Sequence, residues 1–436
     1  MKSDIVESPD PKELNPMQEK IVGLASKTLE LPPSCIEFSP RYRDFFVIGT
    51  YNLQKESADD RSREEEEKEK PKKSQSRDGS LLLFKIKDDN LELAFMLPHH
   101  AAILDLHFRG NDGVSRELFV VANSTGEISL YELDMATTPS IKWLKDFGLF
   151  ATTTLILSCA WHPTFSNVLG VTLSTGSATL LKFNEDLTEV EVIKKDLNLH
   201  SNGFMNLECW TLAFSPAKHD ALVPKDLTQS LYTGGDDSKL RCTTFLDAGM
   251  SGLPFQKLAA VAPGGSRGMT GHGAGVTAIL PLPLGLPASE GILITGSYDD
   301  HVRIYATFDH RTTSTDTSPK VLSELNVGGG VWRLKFMEPS RIASQHISKE
   351  ADCCKFKILA SCMHAGVRIL EVEGSILGEW TIRVLAQFVD HQSMNYASDV
   401  QPSLRKRIEE ERVICVSTSF YDRLLSVWRF DDTKSK

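Results

Sequence analysis

The sequence predicts an all-β fold, a seven-bladed propeller closed on itself, and three observations carry that expectation. Six segments align without a gap over eleven residues: VANSTGEISLY from Val121, VTLSTGSATLL from Val171, TGGDDSKLRCT from Thr233, TGSYDDHVRIY from Thr295, ASCMHAGVRIL from Ala360 and TSFYDRLLSVW from Thr418. Each follows an apolar, β-rich run such as LFVV, ILIT, KILA or VICV, so each reads as strand, tight polar turn, strand. No amphipathic helical stretch of any length interrupts the series, and repeats of this kind bury their faces by stacking on one another.

Taken in order, residues 1–26 read as an N-terminal extension, 27–432 as the propeller and 433–436 as a short tail. The first unit is CIEFSP (Cys35 to Pro40) as inner strand, with FVIGTY (Phe46 to Tyr51) and GSLLLFKI (Gly79 to Ile86) as hairpin arms. Residues 52–78 separate those arms; from Lys55 to Asp78 they hold 8 basic and 9 acidic residues and one apolar residue, Ala58, so this insertion is expected to be disordered. Further inner strands are expected at ILDLHF (Ile103), LSCAWHP (Leu157), CWTLAFSP (Cys209), VTAILPL (Val276) and VWRLKF (Val331). Alternation of the kind seen in Val302, Arg303, Ile304, Tyr305 gives each hairpin a buried and a wet face. Residues 309–320 read as a polar linker between blades 5 and 6, and Thr28 to Leu31 as the outer strand that closes the ring onto the last blade.

Composition excludes several functions. A formal charge of −10 over 436 residues opposes nucleic-acid binding, which needs a surplus of Lys and Arg. The most apolar stretch, Gly275 to Leu286, is too short to span a bilayer and is broken by proline. The N-terminus is acidic and contains proline, unlike a signal peptide. Eight cysteines form no CxxC pair, which points to reduced thiols, no metal site and a cytoplasmic protein. No cofactor is expected: there is no P-loop, no HExxH, and GHGAG from Gly271 lacks the dinucleotide spacing. GGSRG from Gly264 fits G-x-S-x-G around Ser266, but it sits in a Pro/Gly-rich loop with no following helix, so it reads as structural.

The hairpins resemble WD40 repeats, most closely at Thr295 to Tyr305, although the Trp-Asp dipeptide itself is absent. Their shared turn column is Thr125, Thr175, Asp237, Asp299, His364 and Asp422. In WD-type blades the Asp here bonds a His in the loop before the inner strand; His272 is placed to serve Asp299, and His391 to serve Asp422. His364 departs from the scheme: it replaces the Asp, and its own loop is Gly328, Gly329, Gly330 with no His. A second departure is HQSMNYASDV from His391, where Ser393, Tyr396, Ser398 and Asp399 crowd polar groups into an inner strand. Because blades 6 and 7 are neighbours, His364, His391, Tyr396 and Asp399 are expected to converge at the channel mouth.

GGGVWRLKF from Gly328, CMHAGVRIL from Cys362, DHQSMNYASDV from Asp390, STSFYDRLLSVW from Ser417 and IGTYNL from Ile48 resemble the WD-repeat diphthine methyl ester hydrolases of diphthamide biosynthesis. One departure stands out: where that family's blade-seven strand reads like Y-G-A-D-W, this chain has Tyr396, Ala397, Ser398, Asp399, Val400. The resemblance implies a carboxylic ester hydrolase that removes the methyl ester from methylated diphthine on elongation factor 2, its protein partner, before the final amidation. Other proteins of that pathway are further implied partners. His364 is the expected base that activates water, oriented by Asp399 or His391, with Tyr396 donating to the oxyanion and Ser393 as an alternative nucleophile. The competing reading is a propeller that only scaffolds other proteins, the commoner use of the fold.

Overall fold

A computed structural model describes residues 19–53, 77–110, 116–197, 199–216, 228–246, 256–262, 271–284, 289–308, 320–337, 353–375, 379–402 and 412–431. Every regular element among them is a strand, and the strands form seven sheets. Residues 54–76 of the charged insertion, 309–319 of the polar linker, the GGSRG segment around Ser266 and the 433–436 tail lie outside the described residues.

Each sheet holds an antiparallel path of four strands whose first member is the expected inner strand. These inner strands are Pro33–Phe38, Ile103–Phe108, Ile156–Trp161, Cys209–Phe214, Val276–Pro281, Arg333–Phe336 and Ala397–Val400, for blades 1 to 7. The turn column falls between the second and third strands of its blades. In blade 5, Ser289–Ser297 pairs with His301–Phe308, and in blade 6, Cys353–Ser361 pairs with Val367–Ser375.

Ring closure begins earlier than the sequence suggested. The outer strand of blade 7 is Gly23–Thr28, paired antiparallel with Leu424–Asp431, rather than Thr28 to Leu31. Glu19–Ile21 adds a parallel fifth strand to blade 6 beside Trp380–Phe388. Part of the expected 1–26 extension is therefore sheet. Alternation is weak there because an outermost strand buries little of either face, as the mostly exposed Gly23–Thr28 illustrates.

The core is divided as a propeller requires. Seven apolar clusters occur among the described residues, and each joins two neighbouring blades. The ring is completed by a cluster in which Ile36, Phe46 and Phe84 of blade 1 meet Ala397, Val416 and Val427 of blade 7. Burial of each such side chain contributes roughly 1.5–3 kcal/mol, so the interfaces between sheets hold the ring shut. Close approach is enforced by glycine at one repeated position: a Cβ at Gly49, Gly234 or Gly296 would lie 2.5, 2.6 or 2.4 Å from Ile103, Val276 or Val331 at the start of the next inner strand. No helix among the described residues is long and apolar enough to cross a membrane.

Candidate functional site

In blade 5 the turn is built from side chains that satisfy one another. His272 Nδ1 lies 3.2 Å from both carboxylate oxygens of Asp299, and its Nε2 lies 2.7 Å from Thr295 Oγ1. Arg303 donates to Asp299 Oδ2 at 2.6 Å and to Glu324 at 3.0 Å. The pairing expected of His272 and Asp299 is present. Blade 4 repeats it with His200, 2.6 Å from Asp237 and 2.9 Å from Thr233, while Arg241 donates to Asp237 at 2.7 Å. His200 was missed in the sequence because an inserted loop places it nine residues before Cys209, against four between His272 and Val276.

Blade 6 keeps the backbone hairpin and replaces that network. Val327, 1% exposed, stands where blade 5 has His272, Ala360 where it has Thr295, and His364 where it has Asp299. Arg368, in the place of Arg303, remains. Its guanidinium is 4% exposed, donates to the Ala365 and Val367 carbonyls at 2.5 and 3.3 Å, and leaves Nε without a partner. Among the described residues no carboxylate pairs with it, and burial pulls its pKa down.

The turn itself is reshaped. In blades 2, 3, 4, 5 and 7 the residue after the column is left-handed: Gly126, Gly176, Ser238, Asp300 and Arg423. In blade 6 the left-handed residues are instead Met363 and Gly366, on either side of His364 and Ala365. Gly366 is required there, since its φ is +76° and a Cβ would meet the Phe388 carbonyl at 2.5 Å. His364 projects from this turn exposed, and its side chain makes no hydrogen bond among the described residues.

Of the five expected site residues, His364, Ser393 and Tyr396 lie on a turn and a loop that contact each other, while Asp399 and His391 are bonded elsewhere. The Met363 carbonyl accepts the Asn395 amide at 3.0 Å, which seats the His364 turn against the loop carrying Ser393 and Tyr396. Tyr396 packs tilted at 5.1 Å from Trp332 and edge-on at 5.5 Å from Phe420. Burial and the neighbouring Tyr421 hydroxyl push its phenol up, so it holds its proton. Ser393 Oγ accepts two amides, Met394 at 2.6 Å and Tyr421 at 2.8 Å.

Asp399 and His391 do not reach His364. His391 Nε2 lies 2.8 Å from Ser417 Oγ, which also accepts the Trp428 indole at 2.9 Å. Burial pushes the His391 imidazole down to about 4. Its expected bond to Asp422 is absent: Asp422 accepts the Gln392 amide instead, and His391 Nδ1 and Asp422 Oδ1 are both left unpaired. Asp399 is fully buried, 2.6 Å from Lys335 Nζ, and accepts the Phe38 and Val400 amides at 2.7 Å each.

Asp399 thereby belongs to a chain of charges across the central channel. Lys335 also approaches Glu37 at 3.8 Å, Glu37 meets His107 at 3.2 Å, and His107 lies 3.5 Å from Asp105. Arg333 of blade 6 reaches Asp105 of blade 2 at 3.4 Å, a contact possible only through the channel. Burial opposes the charge on His107, but Glu37 and Asp105 outweigh it and push its pKa up to about 10. None of Glu37, Asp105, His107, Arg333 and Lys335 was singled out in the sequence. The available signal was their placement on inner strands, the same argument that drew attention to Asp399.

A band of rings lies at the mouth on the His364 side. Trp332 is centred 5.4 Å from Trp210, 5.8 Å from Tyr298 and 5.1 Å from Tyr396, at tilts of 52–58°. The Trp210 indole donates to Asp236 Oδ1 at 2.6 Å. Burial pushes the Asp236 carboxyl up, the Trp210 bond opposes this, and the neighbouring charges of Glu208 and Asp237 add to the rise. Among the described residues no group of three or more His, Cys, Asp or Glu is placed to hold a metal ion.

Comparison with known proteins agrees with the motif reading. No protein-family model matches the chain. Diphthine methyltransferase of Schizosaccharomyces pombe is 25% identical over 409 residues, covering 94% of this chain and 98% of the relative. The Dictyostelium discoideum diphthine methyltransferase homolog is 22% identical, covering 92% and 98%. The Mus musculus protein of the same name is 27% identical, covering 85% and 67%. The solved structure of Saccharomyces cerevisiae Sqt1 superposes with a TM-score of 0.52 at 11% identity over 94% of this chain and 99% of that one, a likeness of fold alone. The chain is thus similar over most of its length to the WD-repeat proteins of diphthamide biosynthesis, as its own motifs had indicated.

Proposed function

We propose, taking that likeness as the premise, that this propeller is a carboxylic ester hydrolase of diphthamide biosynthesis, removing the methyl ester from methylated diphthine on elongation factor 2. One observation carries the reading of the site: in blade 6 the self-satisfied His–Thr–Asp–Arg network of blade 5 is replaced so that, among the described residues, an imidazole is free at the rim and a buried guanidinium lacks a counter-ion.

In the proposed reaction His364 accepts a proton from water as the water oxygen bonds to the ester carbonyl carbon. Tyr396, which holds its proton, donates to the resulting oxyanion, and Arg368 supplies positive charge beneath the turn. The tetrahedral intermediate collapses with cleavage of the carbon–methoxy bond. Methoxide takes the proton back from His364 to leave as methanol, and the carboxylic acid that remains releases its proton to solvent to become the free carboxylate. Neither Asp399 nor His391 keeps the orienting role that the sequence suggested, since each is bonded elsewhere. Water is favoured over Ser393 as nucleophile because Ser393 Oγ already accepts two amides.

The test is incubation of the purified full chain with elongation factor 2 carrying methylated diphthine. Methanol release with loss of one methyl from the factor supports the reading. Unchanged factor supports a scaffold, and loss of the methyl without methanol supports transfer to another acceptor, as the name methyltransferase carried by the relatives would have it. A covalent adduct trapped on Ser393 would move the mechanism to an acyl-enzyme.

A further inference from the structure

The band of rings at the mouth has no role in the reaction just described, apart from Tyr396. We infer that Trp210, Tyr298, Trp332 and Tyr396 form an aromatic cage for a quaternary ammonium group, with Asp236 and Glu208 supplying the opposing charge. The inference rests on the proposed substrate, because diphthine carries a trimethylammonium on the same carbon as its carboxyl group.

The argument starts from what such a cation needs. A quaternary ammonium has no N–H, so no hydrogen bond can hold it. Attraction comes from the negative faces of aromatic rings and from nearby carboxylates. Four rings from blades 4, 5, 6 and 7 meet around Trp332, tilted by 52–58° rather than stacked flat. They are half-buried, and Tyr298 is 37% exposed, so their faces are within reach of a group entering from the rim. The negative charge is close: Asp236 is fixed by the Trp210 indole at 2.6 Å and lies near enough to Glu208 to feel its charge. Arg333 lies 5.6 Å from the Trp332 ring, but its charge is directed to Asp105 at 3.4 Å.

The placement also suits the chemistry. Ammonium and ester are substituents of one carbon, so the cage and the groups that cut the ester must adjoin. Trp332 and Tyr396 are 5.1 Å apart, and Tyr396 stands one residue from Asn395, which is bonded to the His364 turn.

Choline and its uncharged isostere 3,3-dimethylbutan-1-ol separate cation binding from plain apolar binding. With the full chain, followed by tryptophan fluorescence, choline is expected to bind at least about tenfold more tightly than the alcohol. Trp332→Leu and, separately, Trp210→Leu should each remove the difference, and Asp236→Asn should reduce it. Equal binding of the two probes by the unaltered protein, no binding of either, or full choline binding by both tryptophan variants overturns the cage.

Methanol release distinguishes this failure from failure of the hydrolase reading. If Trp332→Leu raises KM about tenfold while kcat changes less, both stand, because the cage holds ground and transition state alike. Methanol release with no probe discrimination and an unchanged KM sinks the cage and leaves the hydrolase. Discrimination without methanol release leaves a quaternary-ammonium site on a protein with another activity.

Discussion

Blades 5 and 6 carry the same hairpin and nearly opposite electrostatics. In blade 5 a His, a Thr, an Asp and an Arg pair with one another, so the turn is held by charge and offers little to a visitor. In blade 6 three of those four positions have changed, and what is left is an exposed imidazole above a buried arginine with no carboxylate partner among the described residues. Sheet pairing fixes the backbone of either blade without help from these side chains, so a repeat can surrender its polar network and still fold. The cost of leaving Arg368 buried without a counter-ion is the kind of local inconsistency expected where function, not stability, chose the residues.

The sharpest way to break the comparison is His364→Ala. It should lower methanol release by about 10²–10⁴-fold and leave stability within about 0.5 kcal/mol, since the side chain is exposed and unpartnered. Persistent de-esterification of the factor would remove His364 from the mechanism.

One substitution made in both blades should then have opposite consequences. Arg303→Leu removes the one charged donor held at 2.6 Å to Asp299 and is expected to destabilise the fold by about 1–3 kcal/mol with activity retained at permissive temperature. Arg368→Leu removes a buried cation that has no carboxylate partner among the described residues and should be near neutral or stabilising in denaturant titrations, while methanol release falls by about tenfold or more. If the two variants lose stability equally, the contrast between the blades is false. Asp299→Ala sharpens the same point at smaller scale: a loss of about 1–3 kcal/mol, read as a lower midpoint of unfolding, with kcat unchanged.

The smallest expected effect concerns pH. Burial pushes His391 and His162 down to about 4 from an ordinary value near 6.5. The folded state therefore binds fewer protons than the unfolded chain between those values. The stability that these two groups contribute is complete above about pH 6.5 and is lost as pH falls from there toward 4. His391→Gln, which keeps a hydrogen-bonding side chain toward Ser417, should flatten part of that slope; an unaltered slope would mean that the His391 imidazole is not held neutral.

Several features of this molecule were legible before any coordinates. The inner strand Ile103–Phe108 falls where ILDLHF alternates, and the pairing of His272 with Asp299 follows from the spacing of GHGAGV and TGSYDD. The oddity of His364 was also visible, as a break in an otherwise regular column. Less legible were the partners. His200 hid behind an inserted loop, and Asp399 drew attention as a polar residue on an inner strand, yet its partner Lys335 lies 64 positions away. The band of rings draws Trp210, Tyr298, Trp332 and Tyr396 from four blades, and no local pattern joins them.

Alternating apolar residues and turn chemistry act over a few positions, so the chain by itself determined the hairpins and their number. Ring closure decided the rest. Packing each sheet on the next brings inner strands from opposite sides of the channel within reach of one another, and only then does Arg333 meet Asp105, Lys335 neutralise Asp399 and the His364 turn come to rest beside Tyr396. Coulombic and aromatic contacts depend on distance in space, and that distance is set by seven interfaces acting together.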